Sequence, residues 1–113
     1  PLQETWKPVM SNVTRGKLVN ISLDTLMGVL PDQGCMELQQ DKPHKVHDWH
    51  KHDTDETLII IEGGIIFGIE FDNITCGPGD FITLPAGTCH KSIALGDGCI
   101  YTICFRDVSK LLK

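Results

Sequence analysis

Hydrophobic and polar positions along this chain follow a two-residue beat or gather in short apolar runs, and no stretch sustains a helical period. From Gly16 onward, Leu18, Asn20 and Ser22 alternate with Val19, Ile21 and Leu23, which predicts a strand. Residues 24–30 fit either one short helical turn or another strand, and Pro31-Asp32-Gln33-Gly34 is a turn. Residues 35–40 read as a strand, and 41–48, polar and containing Pro43, as a loop. Thr57-Leu58-Ile59-Ile60-Ile61-Glu62 is β-branched with little alternation, the pattern of a strand covered on both faces. Gly63-Gly64 predicts a hairpin turn, followed by a strand over 65–71, a turn at Asp72-Asn73 and a short strand over 74–76. Gly77-Pro78-Gly79-Asp80 is the strongest turn signal. Strands are predicted over 81–84, 90–95 and 99–105, separated by Pro85-Ala86-Gly87 and Gly96-Asp97-Gly98.

Many short strands with glycine-rich turns predict an all-β sandwich or barrel. Residues 1–15, with two prolines and no clear period, predict a surface arm anchored by Trp6. The barrel is expected over 16–107, and a frayed helical turn in a tail over 108–113. The 113 residues leave no room for a second core.

A net charge of −5 with scattered lysines and arginines argues against a nucleic-acid partner, since phosphate binding needs a basic patch. No run approaches the ~20 apolar residues of a membrane helix, and no charged-then-apolar leader opens the chain. Five cysteines, an odd number without a CxxC pair, favour reduced thiols and a cytoplasmic setting. Pro1 at the start fits removal of an initiator methionine.

The chemistry concentrates in two stretches. His50 and His52, one residue apart on an extended chain, point to one face, and Glu56 can fold back across a tight turn to join them. His90 arrives on a strand of its own. Three neutral imidazoles and a carboxylate suit a divalent transition metal, with Fe, Mn, Ni, Zn and Co all compatible. Read singly, each residue is an ordinary polar group near a turn; read together, the four make a metal site. Four protein ligands on a six-coordinate ion leave two positions where a substrate could chelate. Strand parity places Asp48 on the inward side with His50, and His47 and Trp49 facing away. Asp53 and Asp55 fit turn or accessory acceptor roles, and Cys89, opposite in parity to His90, packs away from the metal. Tyr101 and His47 are the candidate catalytic groups, Tyr101 as an acid or substrate donor from an inward strand position.

Both stretches resemble the two motifs of the cupin superfamily. His50-x-His52, three residues, Glu56, six residues and Gly63 satisfy the first; Gly79, Pro85-x-Gly87 and His90 satisfy the second. The resemblance spans about residues 34–105. Two positions depart from it: His44 stands where a glycine usually precedes the histidine pair, and Ala94 where an asparagine often follows His90. The resemblance implies a jelly-roll-type, double-stranded β-helix barrel, often dimeric, with a metal in its mouth. The expected function is a metal-dependent enzyme acting on a small organic acid, sugar derivative or related oxygenated metabolite by oxygenation, isomerisation or lyase chemistry. The competing reading is a non-catalytic binding or sensing module using the same pocket. The apolar run over 58–61 fits either a homodimer face or an internal sandwich core.

Overall fold

The computed structural model describes residues 13–112. The expected arm over 1–15, with Trp6, lies mostly outside that range. Seven strands and one short helix follow in order: β1 (Thr14–Lys17), α1 (Leu23–Gly28), β2 (Met36–Asp41), β3 (Val46–His50), β4 (Glu56–Ile69), β5 (Asp72–Cys76), β6 (Asp80–Leu84) and β7 (His90–Cys104). A 3₁₀ turn over Ser109–Leu112 ends the described chain. Every strand pairing is antiparallel.

Two long strands organise the barrel. The first part of β4 pairs with β6 and the second with β5, while β7 runs alongside both. In the same way β7 pairs with β3 near its start and with β2 near its end. The result is two layers that share β4 and β7, as the double-stranded β-helix expectation requires.

The glycine pairs within these strands are bends rather than reversals, which differs from the sequence expectation. Gly63-Gly64 lies inside β4, and Gly96-Asp97-Gly98 lies inside β7. The register moves from Gly63 opposite Cys99 to Ile65 opposite Ala94, so two steps along β4 match five along β7. Such a bulge needs residues free of side-chain conflict. Gly63 has φ +79, and a Cβ there would overlap the Gly98 carbonyl oxygen. The glycines thus let both strands pass from one layer to the other without ending.

The first segment also departs from expectation. β1 begins at Thr14 and ends at Lys17, after which the Leu18 amide bonds the Gly79 carbonyl at 2.7 Å. The alternation over 18–23 yields to a helix because Ser22 caps it. The Ser22 hydroxyl accepts from the Thr25 amide at 3.2 Å, and the Thr25 hydroxyl accepts in return from the Ser22 amide.

The apolar run of β4 is buried on both faces by this chain alone. Leu58 and Ile60 join Ile65, Phe67, Ile82 and Tyr101 in the barrel interior. Ile59 points outward into a second cluster with Val29, Phe81, Cys104, Val108 and Leu112. The 3₁₀ turn and the end of α1 therefore cover the outer face of this part of β4. Thr57 pins this cover: its hydroxyl bonds the Arg106 carbonyl at 2.9 Å and accepts from the Val108 amide at 3.1 Å.

Candidate metal centre

At one mouth of the barrel lies a cavity of about 390 Å³ lined by His47, His50, His52, Glu56, His90 and Tyr101, among others. His50 closes β3 and His90 opens β7, and the two are direct cross-strand partners. One potential ligand atom on each of His50, His52 and His90 falls within 4.8 Å of the others. Glu56, the first residue of β4, brings Oε2 to 3.6 Å from His52 Nε2.

The backbone fixes how two of these rings present themselves. His50 Nδ1 lies 2.6 Å from the Asp48 carbonyl and His90 Nδ1 3.0 Å from the Thr88 carbonyl. A carbonyl only accepts, so Nδ1 is the donor in each ring, and in the neutral imidazole this leaves the Nε2 lone pair for a metal. This is the arrangement a metal-binding imidazole needs. Burial pushes the His90 imidazole below its ordinary pKa, with His50 and His52 acting in the same direction against the Thr88 hydrogen bond. Burial pushes Glu56 up, while the neighbouring His52 and His50 draw it back down and Glu37 adds to the rise. The three grouped imidazoles, with the Glu56 carboxylate beside His52, are a donor set that fits a divalent transition metal.

The turn of the second motif supports the loop of the first. The Gly87 amide bonds the His52 carbonyl at 2.8 Å, and the Ala86 amide bonds Asp55 Oδ1 at 2.8 Å. Gly87 takes φ +83, which a side chain would strain. Pro85-Ala86-Gly87 therefore holds the segment carrying His52 from outside. Asp55 is an acceptor in this tie, and Cys89 is exposed.

The parity expectation for His47 and Asp48 is overturned. His47 lines the cavity, and the pairing of β3 with β7 shifts register between His47 and His50. Asp48 makes the irregularity: its Oδ1 accepts from the Trp49 amide at 2.8 Å, and its carbonyl accepts from His50. An extra residue in a strand flips the face of whatever precedes it. His47 and His50, an odd number of residues apart, consequently share one wall.

Beneath them sits a residue that sequence reasoning assigned to a loop. Asp41, the last residue of β2, is buried with 3% exposure. Its Oδ2 accepts from the Tyr101 hydroxyl at 2.9 Å, and both carboxylate oxygens lie 3.1 Å from His47 Nε2. A carboxylate has no proton to give, so Nε2 is the protonated nitrogen of His47. Asp41 thereby joins the two candidate catalytic residues. Burial and the hydrogen bond to Asp41 both push the Tyr101 hydroxyl well above its ordinary pKa.

The departures at positions 44 and 94 also meet. His44 adopts φ +67, the left-handed conformation that glycine takes without strain, which accounts for the glycine usual there. Its amide bonds the Ala94 carbonyl at 3.0 Å, and the Ala94 amide bonds the Lys45 carbonyl at 2.9 Å. His44 lies just before β3 and Ala94 within β7, and neither lines the cavity where the imidazoles converge.

Comparisons with known proteins agree with this architecture. The sequence profile of the Cupin_2 family, described as a cupin domain, matches residues 37–104. Acireductone dioxygenases from two strains of Rhodopseudomonas palustris are 37% and 36% identical in the matched region, which covers 54% of this chain. The match takes in only 43% of the length of these curated relatives. A crystal structure of a cupin-2 domain containing protein from Shewanella frigidimarina is 32% identical, with TM-score 0.56, over 64% of this chain and 70% of that one. A cupin superfamily protein from Desulfitobacterium hafniense shares the fold at 17% identity, with TM-score 0.59, over 95% of this chain and 89% of that one. Among the described residues no helix is long and apolar enough to cross a membrane. With the family profile spanning most of the barrel and both motifs placed at its mouth, the chain belongs to the cupin superfamily.

Proposed function

We propose that this protein is a metal-dependent enzyme acting on a small oxygenated metabolite, with oxygenation favoured over isomerisation or lyase chemistry. His50, His52, Glu56 and His90 hold one divalent transition metal. The observation that carries the reading is the preset tautomer of His50 and His90, whose Nδ1 protons are committed to backbone carbonyls beside Glu56 and His52. A metal bound there supplies Lewis acidity toward a substrate chelating through two oxygens and, as ferrous iron, dioxygen activation. The resemblance to the acireductone dioxygenases favours this last use.

The chain's own residues supply the rest. His47 accepts a proton at Nδ1, because its Nε2–H is held by Asp41, and Asp41 steadies the resulting imidazolium. Tyr101, its own proton engaged with Asp41, fixes that carboxylate in place. Leu58, Phe67, Ile103 and Phe105 give the cavity apolar walls that limit water around a bound substrate.

Elemental analysis of untagged protein, purified without chelators or added metal, tests the reading. About one equivalent of iron followed by oxygen uptake with small enediols or diones supports it. One equivalent of manganese, nickel or zinc without oxygen uptake moves the reaction to isomerisation or elimination. Failure to hold any of these ions after reconstitution overturns the metal site and leaves a ligand-binding module.

A further inference from the structure

We infer that the cavity selects substrates that are neutral or cationic outside their chelating oxygens, and rejects those bearing an additional carboxylate or phosphate. The inference rests on the metal-site reading above and narrows its substrate class. The walls carry two carboxylates besides Glu56, namely Glu37 from β2 and Asp53 from the loop after His52. No lysine or arginine lines the cavity among the described residues. Lys51 stands between the two histidines in sequence yet takes no part in the wall.

Neither Glu37 nor Asp53 is neutralised locally. The ion pairs among the described residues are Lys17–Asp80, His47–Asp41 and His52–Glu56. Glu37 lines the same cavity as Glu56, so a ligand held there meets both carboxylates. Glu37 and Asp53 stand at exposed positions of the wall, where they face the part of a substrate that lies beyond its chelating oxygens. A chelating substrate neutralises the ion further, and any second anionic group then faces only like charge.

The means of holding such a group are also missing from the walls. Proteins bind carboxylates and phosphates with arginine forks, lysines or the N-termini of long helices. The cavity offers none of these among the described residues; besides the metal-site residues and the two carboxylates its wall is Leu58, Phe67, Ile103 and Phe105, the neutral polar groups Gln39, Thr54, Ser92 and Tyr101, and His47, whose Nε2 is engaged with the Asp41 carboxylate. A volume of about 390 Å³ suits a small molecule with an apolar or amine-bearing remainder.

Three hydroxamates with one chelating head and tails of similar length separate the possibilities: propionohydroxamate, β-alanine hydroxamate and succinate monohydroxamate. Each is titrated calorimetrically into zinc-loaded protein whose metal content has been verified. The expected result is binding of the neutral and ammonium probes, with the carboxylate probe weaker by about ten-fold or more. Glu37→Gln and raised ionic strength should each shrink that difference severalfold. Equal or tighter binding of the carboxylate probe, with zinc in place, overturns the charge inference alone. Failure to take up zinc, or failure of all three probes to bind, overturns the metal-site reading and this inference with it.

Discussion

The Tyr101 hydroxyl donates to Asp41 Oδ2 at 2.9 Å, joining the end of β2 to the later part of β7 at the wall of the cavity. Since His47 Nε2 bonds the same carboxylate, one buried charge is shared by two donors from different strands. Tyr101→Phe removes one of the two and is expected to lower stability by about 2 kcal/mol, the usual worth of a hydrogen bond to a charged group. Asp41→Ala strands both donors and should cost more than Tyr101→Phe. The two substitutions made together should cost less than their sum, because they break the same contact. Urea unfolding of the four proteins checks this, and strict additivity would show that the bond contributes nothing.

His90→Ala and Glu56→Ala should each lose most of the bound metal while the barrel still folds. Neither side chain is needed for strand pairing, which runs through the backbone on both sides of them. Circular dichroism reports the fold and elemental analysis the metal. Full metal retention by either variant would remove that residue from the ligand set. Metal loading of the parent protein should raise the melting temperature, and chelator should reverse the rise, since an ion bound only by the folded form stabilises it.

Alkaline pH should unfold the protein. Burial pushes the Cys99 thiol up from 9.0 to about 12 and the Cys76 thiol from 9.0 to about 11, and Tyr101 also moves upward. A group whose pKa is raised by folding adds stability that is complete below its unfolded pKa and disappears as pH rises through its folded one. Stability should therefore fall between pH 9 and 12. Cys99→Ala should flatten that decline; an unchanged slope in urea melts across this range would rule out the buried thiol as a contributor.

His44→Gly should stabilise the protein by up to about 1 kcal/mol. It relieves a left-handed backbone that costs a side chain roughly 1–2 kcal/mol, partly offset by the greater freedom of glycine in the unfolded chain. His44 is exposed, so little packing is lost. A destabilised variant would mean that the imidazole makes a contribution its backbone conformation conceals.

The meeting of His50, His52 and His90 was legible in the sequence because each rests on a short-range rule. A two-residue spacing fixes one face, and a glycine–proline turn announces the strand that brings His90. The double-sided burial of Leu58 to Ile60 was legible for the same reason, as β-branched residues without alternation. The orientation of His47 was not, because parity fails when a bulge intervenes, and the Asp48 side chain that makes the bulge resembles any other polar loop residue. Asp41 was hidden differently. Its role depends on partners 6 and 60 residues away, and an aspartate just before Lys42-Pro43 looks like a turn. The glycines at 63–64 and 96–98 signal backbone freedom equally well whether the chain reverses or two strands merely crowd together.

The bulge at Asp48 has an evolutionary consequence. Deleting the one extra residue would leave His47 two residues ahead of His50 on a regular strand, opposite Ser92 and on the same wall as before. The stretch ahead of the histidine pair can therefore lose a residue without changing which side chain stands beside the metal ligands. What that loss removes is the outward bend, so variation in length here falls on the rim of the barrel and spares its chemistry.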